Sequence, residues 1–182
     1  MILPGRSLIT RQIIAGTISP TVQSQPCGVD LTLKKVLTWV SPGSIDFDNS
    51  LRRTAMTKEI IFQIPTKNAP SQSILHHSIH LALGSYLVEF SERVSVPLDT
   101  MGQLFVRSSL FRSGALLSAG VMDSGYEGAV GALLQVVNPS GLQLYKNARL
   151  AQFVFHQMSE PVKGYDGAYQ GSPSILGTGS NN

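Results

Sequence analysis

The chain has one cysteine, few charged residues and no long apolar run, and each shortage excludes a class of protein. Cys27 alone cannot form an internal disulfide or a multi-cysteine metal site. This favours a reducing compartment and predicts an intracellular protein, in the cytoplasm or the nucleus. No stretch approaches the roughly 18 to 20 apolar residues of a membrane span, so we expect no membrane association. No GxxxxGK[ST] motif is present, which excludes P-loop chemistry.

Size and charge limit how the chain is organised. With 182 residues, of which 42% are hydrophobic and 14% charged, it is long enough for one well-packed domain and too short for two. We therefore predict a single domain over 1–182, with a mobile Gly- and Ser-rich tail over about 172–182. The formal charge of +3 is spread along the chain, with no basic run longer than pairs such as Arg52-Arg53. We therefore expect no stable binding of nucleic acid.

Apolar and polar residues alternate over much of the chain, which is the period of β-strands. Such stretches, separated by Gly, Pro, Ser and Asn turns, predict a mostly β fold, either a sandwich or a barrel. In "DLTLKKVLTWV" the period places four residues on one face: Leu31, Leu33, Leu37 and Trp39. In "LALGSYLVEFSERVSV" the corresponding residues are Tyr86, Val88 and Phe90.

Two helical patterns interrupt the strands. An N-terminal helix is predicted to have Ser7 as its N-cap and to end at Gly16, and its buried residues would be Leu8, Ile9, Ile13 and Ile14. A weaker pattern covers Ser73 to Leu83. The stretch 41–73 lies outside every motif and receives no functional assignment.

Three histidines near the weaker pattern raise the question of a metal site. His76, His77 and His80 have neither the HExxH spacing nor that of a zinc finger, and no cysteine is near them. A partly exposed segment without a metal is therefore the better interpretation.

A polar cluster follows an apolar strand in "LFVRSSLFRSG". Arg107, Ser108, Ser109 and Arg112 offer guanidinium groups, hydroxyls and backbone amides, which are the groups that bind phosphates. A solvated turn with a helix-like cap would use the same residue types. Farther along, "GVMDSGYEGAVG" places the carboxylate of Asp123 in an apolar, glycine-rich run, where packing alone gives no reason for an acid.

Four stretches in order resemble the motif series of the dUTPase and dCTP deaminase family: "QPCGVDLTL", "RSSLFRSG", "AGVMDSGYEGAVGALLQVVN" and "LYKNARLAQFVF". The resemblance runs from about Gln25 to Gly171. It implies a distorted jelly-roll-like β-barrel with a short N-terminal helix. It also implies a homotrimer whose three active sites are shared between subunits.

The resemblance assigns roles to individual residues. Asp123 corresponds to the general base that activates the water attacking the α-phosphorus of dUTP, which gives dUMP and pyrophosphate. Tyr126 corresponds to the aromatic residue that packs on the deoxyribose and leaves no room for a 2′-hydroxyl. Asp30 corresponds to the acid near Mg²⁺, which it would contact through metal-bound water. The other implied substrate-binding residues are Arg107, Ser108, Ser109, Arg112 and Gln152 for the phosphates, Arg149 to fix the turn near Gln152, and Gly120 and Val121 for the uracil.

Two departures from the family pattern bear on its two activities. No aromatic residue follows Tyr169, and "YQG" resembles the end of dCTP deaminases and archaeal-type dUTPases, so Tyr169, Gln170 and Gly171 are expected to line or cover the site. Deaminases have a glutamate in the strand after the Asp motif, whereas 131–137 reads GALLQVV. The nearest acid, Glu127, lies beside Tyr126, on the wrong side of the glycine turn. Deamination without a proton shuttle would be very slow.

The sequence therefore predicts a Mg²⁺-dependent dUTP diphosphatase of the deaminase-like subfamily. Three alternatives stay open. A dCTP deaminase, monofunctional or bifunctional, would release ammonia from dCTP. A non-catalytic nucleotide-binding regulatory trimer or a purely structural jelly-roll subunit would turn over nothing. How strictly uracil is preferred over cytosine is not readable from side chains, because backbone groups recognise the base in this family.

Overall fold

The fold is built mainly from β-strands. The structure, a computed structural model, describes residues 1–64 and 77–177. Its helices are α1 (Gly5–Thr10), α2 (Pro20–Gln23) and α3 (Ser108–Arg112). Its strands are β1 (Ile14–Ala15), β2 (Ser24–Gln25), β3 (Gly28–Trp39), β4 (Thr57–Ile60), β5 (Ser78–Leu81), β6 (Gly84–Ser95), β7 (Thr100–Val106), β8 (Ala115–Ser118), β9 (Glu127–Val136), β10 (Leu142–Tyr145) and β11 (Arg149–Gln157). Within the described residues, no helix has the length and apolar character needed to traverse a lipid bilayer.

One curled sheet forms the body of the molecule. Its main strands follow the order β7-β11-β3-β6-β9-β8, with antiparallel neighbours. Beyond β8, Met122 pairs with Gly102 of β7 through two backbone hydrogen bonds of 2.9 Å. The two ends of the sheet therefore meet, and the barrel is nearly closed. Strands β5 and β10 form a separate small sheet. The predicted jelly-roll-like barrel with a short N-terminal helix is confirmed.

Aromatic side chains of β6 and β11 fill the barrel. Phe90, Phe153 and Phe155 are at most 1% exposed, and the ring centroids of Phe153 and Phe155 lie 4.4 Å apart. Burying each ring contributes roughly 1.5–3 kcal/mol. Gly102 makes room for this packing, because a Cβ there would lie 2.6 Å from the Phe153 ring. The alternation predicted for β6 is observed in the residues that pack on the core, Tyr86, Val88 and Phe90.

A β-bulge changes which residues of β3 face the core. Leu31 and Leu33 are fully buried, as the alternation predicts. The register shifts just after Leu33, and the extra residue inverts the alternation, so that Val36 is fully buried. Leu37 and Trp39 therefore leave the face that Leu31 and Leu33 occupy, and Trp39 is 38% exposed. The prediction that all four residues share one face is wrong.

The N-terminal helix is displaced from its predicted position. It begins before Ser7, with an extended Pro4 as its N-cap. It also ends well before Gly16, because Gln12 has a φ of 57°, a left-handed conformation that a right-handed helix does not contain. Ile14 then begins strand β1, which pairs with β6.

The weaker helical pattern near the histidines forms a strand instead. Residues 78–81 are β5 and pair with β10, so the helix prediction is wrong there. Ile79 and Leu81 are buried while His80 is exposed, which is the period of a half-buried strand. Residues 73–76, with His76 among them, lie outside the described residues.

Candidate functional site

Asp123 lies exposed on a tight turn between β8 and β9. The backbone N–H of Tyr126 donates to the Asp123 carbonyl oxygen over 3.2 Å. Gly125 supplies the left-handed φ of +79° that the turn requires. A Cβ on Gly125 would lie 2.6 Å from the Cα of Gly164, so the turn packs directly on the C-terminal part of the chain. The backbone thus fixes the turn from which the Asp123 side chain projects.

Asp123 borders two hollows in the surface. The aromatic hollow has a volume of about 220 Å³ and is lined by Val121, Met122, Asp123, Tyr126, Ala129, Tyr165, Tyr169 and Ile175. The methionine hollow has a volume of about 330 Å³ and is lined by Met101, Val121, Asp123, Ser124, Met158, Val162, Lys163 and Tyr165. Among the described residues, Asp123 is the only carboxylate in either lining. General base chemistry in these hollows would therefore depend on Asp123.

The ring of Tyr126 forms a rigid wall of the aromatic hollow. Its side chain is 7% exposed, and its phenolic oxygen donates to the carbonyl oxygen of Ala129 over 2.8 Å. Burial, helped by the neighbouring Tyr165, raises the pKa of Tyr126 above its ordinary value of 10.0, so the phenol stays neutral. The Tyr165 ring meets it edge-on, with centroids 5.5 Å apart. A fixed, apolar ring of this kind is a surface on which a sugar can pack.

Tyr165 borders the site, and no motif in the sequence selects it. It lines both hollows, and its backbone N–H donates to the Ser124 carbonyl oxygen over 2.8 Å. The only local signal is an aromatic residue between two glycines in "KGYDG". An aromatic side chain in such a turn-forming stretch must pack on a distant part of the chain to be ordered.

The segment "YQG" clamps the turn that carries the acid. The side-chain Oε1 of Gln170 accepts from the Glu127 N–H over 3.0 Å, and its Nε2 donates to the Gly125 carbonyl oxygen over 2.8 Å. The Gly171 N–H donates to the Glu127 carbonyl oxygen over 2.8 Å. Tyr169 lines the aromatic hollow. The segment lies beside the site, where the resemblance placed it, and its contact with substrate stays a prediction.

Residues 172–177 continue along the barrel. Ser172 is fully buried, and its carbonyl oxygen accepts from the Ala129 N–H over 3.0 Å. Ile175 occupies the space that Gly131 leaves open, since a Cβ on Gly131 would lie 2.7 Å from the Ile175 side chain. Composition suggested a mobile tail from about residue 172, but these contacts place 172–177 on β9. Residues 178–182 lie outside the described residues.

The buried carboxylate of Glu89 anchors the same segment. It is 1% exposed and pairs with Lys34, whose Nζ lies 2.6 Å from its Oε1. Its Oε2 accepts from the Ser174 hydroxyl over 2.8 Å and from the Ile175 N–H over 3.4 Å. Burial raises the pKa of Glu89, but the hydrogen bonds from Lys34 and Ser174 and the charge of Lys34 together outweigh it. The pKa therefore lies below its ordinary value of 4.5.

The lowered pKa of Glu89 predicts an acid-sensitive contribution to stability. Ionised Glu89 stabilises the fold above pH 4.5, its ordinary pKa, and this contribution is lost as the pH falls through the lower pKa of the folded state. Glu89→Gln should reduce the free energy of unfolding near neutral pH by about 1–2 kcal/mol and weaken its decline in acid. Urea unfolding from neutral pH to about pH 3 measures both effects.

Glu59→Gln is the matched control for that experiment. The Lys35 Nζ to Glu59 Oε2 distance is 3.9 Å, and both side chains are 39% exposed, so this pair contributes little to stability. Equal losses in the Glu89 and Glu59 variants would contradict the anchoring role of Glu89.

A second polar site follows β7. Arg107 is half-buried at the N-cap of α3, and the helix exposes the side chains of Ser108, Ser109 and Arg112. These four residues are called the arginine–serine cluster below. Their guanidinium and hydroxyl groups have the chemistry that phosphate recognition requires.

Asp30 organises the arginines of this second site. Its Oδ2 lies 3.1 Å from Arg107 Nε and 3.0 Å from Arg149 Nη1. Arg107 Nη1 also donates to the Arg149 carbonyl oxygen over 3.0 Å. Burial raises the pKa of Asp30, and the charges of the two arginines offset this in part. Gln152 lies opposite Asp30 in the pairing of β11 with β3, so the amide belongs to the same site.

Asp30 does not fit as a direct metal ligand in this chain. Its Oδ2 is bonded to two guanidinium groups, and their positive charges repel a cation. Across residues 1–64 and 77–177, no group of three or more His, Cys, Asp or Glu side chains is arranged to hold a metal ion. A contact between Asp30 and Mg²⁺ through water stays a prediction.

The acid and the arginine–serine cluster lie apart within one chain. Met122, the neighbour of Asp123, pairs with Gly102 on β7, whereas Arg107 comes five residues after Gly102. Five strand residues span about 17 Å at roughly 3.3 Å per residue. In the described part of the chain, no member of the cluster lines either hollow. One chain alone therefore does not join the two halves of the expected site.

Comparison with known proteins identifies the family of this barrel. A family model described as dCTP deaminase-like matches residues 3–158. The chain belongs to the dCTP deaminase-like family.

Two relatives match this chain over more than four fifths of its length. A protein of Methanosarcina mazei named probable deoxyuridine 5′-triphosphate nucleotidohydrolase is 38% identical over 159 residues, which cover 87% of this chain and 86% of that protein. The deoxyuridine 5′-triphosphate nucleotidohydrolase of Methanocaldococcus jannaschii is 38% identical over 150 residues, which cover 82% of this chain and 88% of that protein.

A solved structure supports the fold alone. The 2′-deoxycytidine 5′-triphosphate deaminase of Agrobacterium tumefaciens is 19% identical, with a TM-score of 0.57. The similarity covers 85% of this chain and 46% of that one, so this chain spans about half the length of that deaminase.

Proposed function

We propose that this protein hydrolyses dUTP to dUMP and pyrophosphate. The observation that carries the proposal is the position of Asp123, an exposed carboxylate that is the only described acid in two hollows and lies beside the buried ring of Tyr126. Relatives that are 38% identical over 82% and 87% of the chain are named dUTP nucleotidohydrolases, which supports the same substrate.

Asp123 acts as the general base of this reaction. Its carboxylate accepts a proton from a water molecule while the water oxygen forms a bond to the α-phosphorus. The bond from the α-phosphorus to the oxygen bridging the β-phosphorus breaks, and pyrophosphate leaves with the bonding electrons. Because Asp123 is exposed, water reaches the carboxylate directly.

The aromatic hollow binds the nucleoside. Tyr126 packs on the deoxyribose, and its ring is buried and hydrogen-bonded, so it cannot move aside for a 2′-hydroxyl. The backbone of Gly120 and Val121 recognises the uracil, and Val121 lines the hollow. Tyr169 covers the nucleotide from the segment that Gln170 holds against the turn.

A neighbouring subunit supplies the groups that bind the phosphates. In one chain Arg107, the first residue of the arginine–serine cluster, lies about 17 Å along β7 from Gly102, which pairs with the acid-bearing turn. We therefore place these groups against Asp123 of another copy, in a homotrimer with three shared sites. They are the arginine–serine cluster, Arg149 and Gln152.

The triphosphate of dUTP carries Mg²⁺ into the site as part of the substrate complex. The ion neutralises phosphate charge and holds the phosphates in one geometry. Asp30, whose Oδ2 is bonded to Arg107 and Arg149, would contact the ion only through water.

Deamination of dCTP has less support. Beyond Glu127, strand β9 has no acid. The carboxylate opposite Gly131 on the adjacent strand is Glu89, and it is bonded to Lys34 and Ser174. It lines neither hollow, so it is not placed to transfer protons to a bound base.

Product analysis of the purified full chain tests the proposal. With Mg²⁺ present, dUTP, dCTP, dTTP and UTP are offered separately, and pyrophosphate and ammonia are measured. We expect pyrophosphate from dUTP and at least about tenfold less from each of the others, because each differs in a group that the hollow contacts. Ammonia from dCTP would favour the deaminase, and no turnover of any nucleotide would favour a regulatory or structural trimer.

A further inference from the structure

The segment 40–56, to which the sequence assigns no function, folds into an ordered loop, here called the arginine loop. Its base is held by a hydrogen bond of 2.9 Å from the Val40 N–H to the Met56 carbonyl oxygen. Ser44 and Arg53 pair across the loop through two backbone hydrogen bonds of 3.0 Å. The loop is therefore a two-stranded extension of the chain beyond β3.

The tip of the arginine loop is fixed by its own polar side chains. Ser44 Oγ donates to the Leu51 carbonyl oxygen over 2.6 Å, and the Leu51 N–H donates to Asp46 Oδ2 over 2.7 Å. The Ser50 N–H donates to Asp48 Oδ1 over 3.0 Å. These bonds hold the backbone just before Arg52, so they define the direction in which the chain at Arg52 leaves the tip of the loop.

Arg52 and Thr54 both contact Tyr169. The Arg52 Cζ lies 5.7 Å from the centroid of the Tyr169 ring, which is cation–π distance. The Thr54 hydroxyl lies 3.4 Å from the Tyr169 phenolic oxygen. Since Tyr169 lines the aromatic hollow together with Asp123, the arginine loop supports the outer wall of that hollow.

The charge of Arg52 is available to a ligand. Its side chain is exposed, and none of the ion pairs of the described residues involves it. The aromatic hollow itself contains one carboxylate and no cationic side chain among the described residues. Arg52 does not itself line the aromatic hollow, but its guanidinium lies over the ring of Tyr169, which does. A polyanionic substrate approaching Asp123 would therefore be attracted by Arg52 from behind that ring.

We propose that Arg52 is a substrate-binding residue of the aromatic hollow. It stacks on Tyr169, which keeps that ring against the bound nucleotide, and it adds a positive charge for the triphosphate. The proposal rests on the proposed function for the identity of the nucleotide. The stretch outside the motifs would then contribute to substrate affinity. Arg52 would affect binding because it would contact the nucleotide in the ground state as well as in the transition state.

Kinetics and binding of three variants test this role. Arg52→Ala should raise KM for dUTP, and Kd for the uncleaved analogue α,β-imido-dUTP, by about tenfold, while kcat changes by less than about twofold. Arg52→Lys keeps the charge and should recover part of the loss. Arg53→Ala is the matched control, because Arg53 is exposed in the same strand of the loop and no cation–ring contact among the described residues involves it.

The outcomes separate this inference from the proposed function. If the wild type hydrolyses dUTP and Arg52→Ala has the same KM and Kd as Arg53→Ala, the role of Arg52 is refuted and the hydrolase activity stands. If the wild type binds the analogue without hydrolysing dUTP, the activity is refuted, and a weaker Kd in Arg52→Ala alone still supports the inference. A fall in kcat with unchanged KM would also refute the binding role.

Discussion

Replacing Asp123 with asparagine is expected to lower kcat for dUTP by about 10²–10⁴-fold, which is the usual contribution of a general base. The amide has the size of the carboxylate but cannot accept the proton of the attacking water. Because the Asp123 side chain is exposed and the turn is held by backbone bonds, the fold is expected to be unchanged. Pyrophosphate release measures kcat, and calorimetric titration with α,β-imido-dUTP measures whether binding survives.

Glu127→Gln is the control for this experiment. Glu127 is the nearest other acid along the chain and is also exposed, but it lies in neither hollow. Its substitution should leave kcat within about threefold of the wild type, the range of a surface change away from the reacting atoms. If Asp123→Asn kept a comparable rate, or if Glu127→Gln lost activity, another residue would be the base.

If the acid and the arginine–serine cluster of each site come from different chains, as proposed, a mixture of two inactive variants is expected to recover activity. One variant is Asp123→Asn. The other combines Ser108→Ala with Arg112→Ala, two exposed residues of α3 whose loss should not disturb folding. In trimers refolded from equal amounts, about a quarter of the sites would combine an intact acid with an intact cluster. The expected rate is therefore about a quarter of the wild-type rate, measured at dUTP concentrations below KM.

Two controls are needed to interpret this experiment. Each variant refolded alone should remain inactive, and the two variants mixed after separate refolding should stay inactive until subunits exchange. Each chain of the mixture lacks either the acid or part of the cluster. Recovery therefore cannot occur if each site is built within one subunit, and its absence after verified mixed assembly would contradict the shared sites.

Much of the fold was predictable where the signal is local. The alternation in β6 and in the first half of β3 identified residues that the structure buries, because strand geometry alone sets a period of two. The sequence also selected Asp123, Tyr126 and Tyr169, and the structure brings all three to one hollow. Motif order identified the first two, and the resemblance of "YQG" to the end of family members identified Tyr169.

The remaining features depend on contacts between distant parts of the chain. The bulge after Leu33 cannot be predicted from the alternation of apolar residues, because the same residues also fit a regular strand. Tyr165 and Arg52 gain their positions from partners elsewhere, and the Thr54 to Tyr169 contact spans 115 residues. The same holds for the Glu89 carboxylate and Lys34, which are 55 residues apart. Spacing within a motif cannot reveal such partners.

The clamp formed by Gln170 has a consequence for the order of events during protein synthesis. Its bonds reach back 43 residues to Glu127 and 45 residues to Gly125, so the turn carrying Asp123 leaves the ribosome well before the residues that fasten it. Chains are made from the N-terminus and fold progressively. A chain interrupted before residue 170 would hold every strand of the described residues but lack the clamp. Full activity therefore requires that translation has passed residue 170.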